Sequence, residues 1–164
     1  MVEFRYRDDD VNEQPSVTLD AFLDQSNSTA VRLEPDDDAR ALLPFLDRLA
    51  LIEIAFPKFR DGRGYSSARI LREAGYTGEL RAQGDVLVDQ IAFMRRCGFD
   101  SFAPEGSLNP ADVEAAFTRY DHVYQAAADA AVLAVVSSDR ASVSQLSTSA
   151  KAARIAELED IPTK

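Results

Sequence analysis

The chain has no tryptophan, one cysteine, one histidine and no glycine outside residues 62–106. Each scarcity narrows the chemistry. A lone Cys97 excludes an internal disulfide and any zinc site or cluster held by several thiolates. A Ser-His-Asp triad would have to use His122, and no serine here sits in a nucleophile elbow. Basic charge is also short. The 18 Lys and Arg face 28 Asp and Glu, a net charge of −10, and nucleic-acid binding needs a basic face. No apolar run reaches the ~18 residues of a membrane span. The charged start, Met1 to Asp10, lacks the apolar stretch of a signal peptide, so a cytoplasmic location is the default expectation. The 164 residues, 46% hydrophobic and 28% charged, have the make-up of an ordinary globular protein with a proper core.

What is present is concentrated. All seven glycines lie between Gly62 and Gly106, and glycine marks backbone that takes positive φ or approaches another group closely. Between Glu53 and Asp100 eight basic residues face seven acidic ones, a net +1 inside a chain of −10. An arginine-rich island in an acidic protein is a candidate anion site.

Apolar periodicity organises the chain into three parts. Residues 1–28 read as a polar arm with one short helix, Thr18 capping Leu19 to Leu23. Residues 29–126 read as an α/β domain of about four βα units with a mainly parallel sheet, either an open Rossmann-like sheet or a partial TIM-like barrel. Its predicted strands are Ala30–Leu33, Ala50–Phe56, Glu79–Gln83 and Phe99–Pro104. Asp36, Asp37 and Asp38 suit the start of a helix dipole, and Pro44 is expected to break or kink that helix. Ser66–Ala74 is predicted helical with Gly75 ending it. Asp85 is predicted to cap the next helix, and Asn109-Pro110 to start the fourth, running to about 126. Residues 127–164 are a C-terminal extension predicted to be partly helical. Within it Ala127–Val136 reads equally as helix continuation or edge strand, Ser137–Thr148 as a serine-rich linker and Ala150–Leu158 as a terminal helix.

Ligands of parallel α/β folds sit at the carboxyl ends of the strands. Those ends carry Pro57 to Ser66, Arg81 to Asp85, and Pro104-Glu105, so Lys58, Arg60, Arg63, Arg81 and Gln83 are positioned to converge with Asp61, Asp85 and Glu105. The N–H groups after Gly62 and Gly64 would add to anion binding at a helix start. The Gly-x-Gly lacks the third glycine of a dinucleotide fingerprint and the Lys-Ser/Thr of a P-loop. The alternative is a plain Asp61-Gly62 turn with arginines paired locally. Glu53 and Arg81 lie inside apolar strands, where an unpaired charge is costly. Adjacent strands would make them a buried salt bridge; otherwise one of them lines a pocket. Cys97 reads as a buried structural thiol beside Arg95 and Arg96, His122 as an exposed or capping residue, and Phe56, Phe59, Tyr65 and Tyr76 as core or rim.

Phe56-Pro-Lys-Phe-Arg-Asp-Gly-Arg-Gly-Tyr-Ser66, Ile70-Leu-Arg-Glu73, Gly75-Tyr-Thr-Gly-Glu-Leu-Arg-Ala82, Gly84-Asp85-Val86 and Arg96-Cys-Gly-Phe-Asp100 resemble the bacterial domain-of-unknown-function family nine-three-four. The resemblance spans roughly residues 30 to 125. Members of that family are labelled oxidoreductases of sulfite reduction, which implies a role in sulfur assimilation. Its motif positions fall on Lys58, Arg60, Asp61, Arg63, Tyr65, Ser66, Arg69, Arg72, Glu79, Arg81 and Asp85, within the island found from glycine and charge. No flavin, nicotinamide, siroheme or iron–sulfur motif is found, and the cofactor is left unknown.

Three functions are therefore weighed. The first is an accessory protein of assimilatory sulfite reduction, acting through a small-oxyanion pocket or by docking to sulfite reductase. In it Lys58, Arg60, Arg63 and Arg81 bind the anion, Tyr65 and Ser66 donate hydrogen bonds, and Asp61 and Asp85 orient the arginines. Glu53, Arg69, Arg72 and Glu79 are structural. The second is a cofactor-dependent oxidoreductase whose loop cradles phosphates, and the third a structural interaction module. No metal, nucleic acid or membrane is expected as a partner, and homo-oligomerisation is left open.

Overall fold

Alternating short apolar strands and amphipathic helices build an open six-stranded sheet in the computed structural model, which describes residues 4–25 and 27–119. The elements are β1 (Phe4–Arg5), β2 (Val17–Thr18), α1 (Leu19–Gln25), β3 (Ala30–Leu33), a 3-10 segment (Ala39–Arg48), β4 (Leu51–Phe56), α2 (Arg63–Glu73), β5 (Glu79–Gly84), α3 (Val88–Cys97), β6 (Ser101–Pro104) and α4 (Pro110–Thr118). The sheet order is β1-β6-β5-β4-β3-β2. Strands β2 to β6 are parallel to their neighbours, and only β1 runs antiparallel, beside β6.

From β2 to β6 strands consecutive in sequence are neighbours in the sheet, and the order advances the same way, while β1 lies at the far edge beside β6. Right-handed crossovers then lay the helices on one face. That face is apolar. Register aligns Val31 with Ile52 and Leu80, and Leu33 with Ile54, Ala82 and Phe102. These residues join Leu42, Ala68, Leu71, Ile91 and Met94 in one buried cluster, where each large side chain contributes about 1.5–3 kcal/mol.

The opposite face is polar. One row reads Thr18, Arg32, Glu53, Arg81, Ser101, Arg5 across all six strands. The next row towards the strand carboxyl ends is Ala55, Gln83, Ala103.

Four local expectations are corrected. Residues 1–28 read from sequence as an arm outside the domain, but the described part of that stretch supplies both edge strands and crosses the polar face. Two-residue strands are too short to show a period. The helix expected to kink at Pro44 is wound as 3-10 over Ala39–Arg48, with Asp38 capping it through Arg40 N. Proline lacks the N–H for an α-helical bond and its ring crowds the carbonyl four residues back. Helix α2 starts at Arg63, ahead of Ser66, and α3 at Val88, after the cap expected at Asp85. The predictions for residues beyond 119 (His122, the end of the fourth helix and the C-terminal extension) lie outside the described residues.

Candidate functional site

The β4 strand delivers the chain to a loop, Pro57 to Gly62, at the carboxyl edge of the sheet, and three hydrogen bonds set that loop. Asp85 N donates to Phe56 O at 2.7 Å, Phe59 N donates to Asp85 Oδ2 at 3.0 Å, and Gln90 Nε2 donates to Phe59 O at 2.9 Å. Asp85 is thereby committed to the loop, which is why it does not cap α3. The close approach depends on Gly84. Its φ is +113°, and a Cβ there would stand 2.4 Å from Phe56 O. Gly64 has a packing role instead, since its Cβ would meet the Phe56 ring at 2.6 Å.

At the loop tip Lys58, Phe59 and Arg60 are all exposed. The Arg60 guanidinium lies 5.7 Å from the Phe59 ring centre. Neither Lys58 nor Arg60 has a carboxylate partner among the described residues. Arg63 differs: it bonds Asp61 at 2.7 Å and also Asp36. Asp61 takes the Arg63 side chain and its backbone N–H, which hold its carboxyl down to about 2.

The remaining expected residues go elsewhere. Tyr65 is half-buried, its ring 5.5 Å from Phe56 and 5.4 Å from Phe93, and burial first, then the nearby Cys97 and Asp89, raises its hydroxyl pKa. Ser66 is exposed on the first turn of α2. Arg69 makes a surface pair with Glu73. Arg72 is a structural clamp, donating to Gly98 O at 2.9 Å, Tyr76 O at 2.6 Å, Gly78 O at 2.9 Å and to Asp100.

Arg81 does not converge with Lys58, Arg60 and Arg63. It sits in mid-strand on the polar face, where strand pleating turns it away from the loop. There its guanidinium bonds Glu53 at 2.9 Å, Glu79 at 2.8 Å and the carbonyl of Asn12 at 3.1 Å. The Glu53–Arg81 pair expected from their apolar strands is therefore present, in one register row. Glu79 also accepts from Ser101 at 2.5 Å and from Arg5 at 3.2 Å, and Glu53 accepts from Ser16. Burial alone would raise the Glu79 pKa, but the Ser101, Arg81 and Arg5 donors together hold it below the ordinary value. The arm's Arg5, Asn12 and Ser16 thus tie down half of the face.

Sequence reasoning missed the members of this network that come from the arm, and it missed Arg32. The latter spans β4 above the small Ala55 to reach Gln83 Oε1 at 3.0 Å, while its Nε bonds Glu34 at 2.7 Å. A signal existed: Arg32 alternates with Val31 and Leu33, which puts a cation on the face opposite the core. Among the described residues no group of three or more His, Cys, Asp or Glu could hold a metal ion, and no helix is long and apolar enough to cross a membrane.

Fold and site together define an open, mostly parallel α/β protein with a cationic loop at its strand ends and a charged sheet face strapped by its own N-terminal arm. Residues 30–134 match the family described as bacterial protein of unknown function (DUF934), and the chain belongs to that family. No curated protein and no solved structure matches it.

Proposed function

We propose that this protein is an accessory factor of assimilatory sulfite reduction that docks, through the loop after β4, onto an acidic surface of the sulfite reductase. The pathway comes from the family resemblance. The observation that carries the docking mode is the loop tip, where Lys58 and Arg60 flank exposed Phe59 with no carboxylate partner among the described residues. Arginine and aromatic side chains are the groups that dominate interface energetics. Leu87 and Phe93, 36% and 53% exposed, extend apolar area beside Gln90, the residue that fixes Phe59. A rigid backbone lowers the ordering cost of binding. Docking is favoured over a small-anion pocket at this loop because Arg63 is held by two carboxylates and Arg81 faces the other way.

The test is binding to purified sulfite reductase from the same source, measured by surface immobilisation across a salt series. Wild-type binding weakens as salt screens the cations, and the Lys58→Glu/Arg60→Glu double variant binds at least about tenfold more weakly. Arg69→Glu, on a helix outside the loop, serves as control. Equal binding by the double variant and wild type removes the loop from the interface.

A further inference from the structure

We infer that Arg32 and Gln83 form a binding site for a small free oxyanion at the carboxyl end of the polar sheet face. This site is separate from the docking loop and does not depend on that reading.

The polar face is divided. Its arm-covered half is saturated, because Glu53, Glu79, Arg81 and Ser101 bond one another and the arm. The half towards the strand carboxyl ends carries the row Ala55, Gln83, Ala103. Two alanines flank the Gln83 carboxamide in that row. Arg32 reaches across from the preceding row, its side chain 38% exposed.

Donor geometry decides what this corner accepts. Arginine has five N–H donors and no acceptor, so Gln83 must turn its oxygen to Arg32, and the observed 3.0 Å bond agrees. The Gln83 Nε2 group is then directed away from the guanidinium with both of its hydrogens. Arg32 uses Nε on Glu34 and Nη1 on Gln83. Among the described residues nothing accepts from Arg32 Nη2 or Gln83 Nε2. The hydrogen bond between the two side chains keeps these two donor groups adjacent. The open Nη2 group beside a carboxamide NH2 suits an anion with at least two acceptor oxygens. The position also fits, since parallel α/β sheets bind ligands outside the carboxyl ends of their strands. Glu34, 47% exposed on the rim, is the competing carboxylate, and its charge limits affinity in the resting protein.

The experiment follows the side-chain amide resonances of Gln83 in the full chain during titrations with sulfite, sulfate, phosphate and acetate. Saturable shifts of the Gln83 NH2 signals are expected with at least one of them. Arg32→Ala should weaken binding on the order of tenfold or more, as expected for loss of a charged hydrogen bond. Arg32→Lys keeps the charge without the fork and should recover part of it. Glu34→Gln should tighten binding by removing the rim charge. Lys58→Ala/Arg60→Ala should leave it unchanged, which separates this site from the docking loop. Absence of saturable Gln83 shifts with all four anions overturns the proposal. So does binding that survives Arg32→Ala in a protein whose thermal unfolding and amide spectrum remain native.

Discussion

Replacing Arg81 by methionine tests the idea that a charged network ties the arm to the sheet. Methionine keeps much of the stem's volume and deletes the guanidinium. Lost with it are bonds to Glu53 at 2.9 Å, to Glu79 at 2.8 and 3.2 Å, and to the Asn12 carbonyl at 3.1 Å. Two carboxylates stay behind in a buried setting. Breaking one partner out of a buried pair costs about 3–5 kcal/mol. Glu79 keeps Ser101 and Arg5, and Glu53 keeps Ser16, so the expected loss is at the low end, about 3 kcal/mol. For a protein of this size that is a fall in Tm of roughly 10 °C. Urea unfolding gives the free energy, and a cycle with Glu53→Gln isolates the coupling. The double variant should lose clearly less than the sum of the singles, because the second change removes one stranded charge. Hydrogen exchange at the arm, around Asn12, should accelerate in the single variant. A loss under about 1 kcal/mol, the range of an exposed pair such as Arg69–Glu73, together with additive singles, would refute the reasoning.

Acid should act on the same network. The folded pKa of Glu79 lies below its ordinary 4.5, so its contribution is complete above that value and is lost as pH falls through the lower folded pKa. Unfolding free energy should therefore decline on acidification below the ordinary glutamate range, and Glu79→Gln, though less stable at neutral pH, should show a shallower decline. Asp61, held at about 2 by Arg63, has the same sign and releases its loop contact only in stronger acid; its carboxyl resonance followed by NMR reports this directly. Glycine substitutions separate backbone constraint from simple flexibility. Gly84→Ala meets Phe56 O at a positive φ and should cost more than about 2 kcal/mol while loosening the loop. Gly62→Ala, with open space around its Cβ, should shift stability by less than about 1 kcal/mol. Chemical denaturation of the two variants side by side measures the contrast.

The βα alternation was legible because strand and helix periods are local, and Ala50–Phe56, apolar apart from Glu53, reads as a strand. The Glu53–Arg81 pair was legible for a physical reason: two opposite charges in apolar strands are tolerable only if the strands are adjacent and in register. The loop that starts at Pro57 was identifiable from its glycines and its place after a strand, although it ends at Gly62, ahead of the Ser66 expected from sequence. Asp85 was misjudged because capping a helix and clamping a loop require the same residue type beside a glycine. Arg72 was expected to be structural, but its partners were not legible, because they are Asp100 and backbone carbonyls brought close by the turns around Gly78 and Gly98.

By itself, then, the sequence determined the four inner strands and the helices between them, where the strand-end loop lies and which inner strands carry charges, but not the two edge strands. Tertiary structure decided which charges meet. The chain register set the row from Thr18 through Arg32, Glu53, Arg81 and Ser101 to Arg5, and strand pleating turned Arg81 away from Lys58 and Arg60. Folding the arm across the sheet closed one half of the polar face and left Arg32 and Gln83 at the other. Those outcomes depend on contacts between residues tens of positions apart, which no local period encodes.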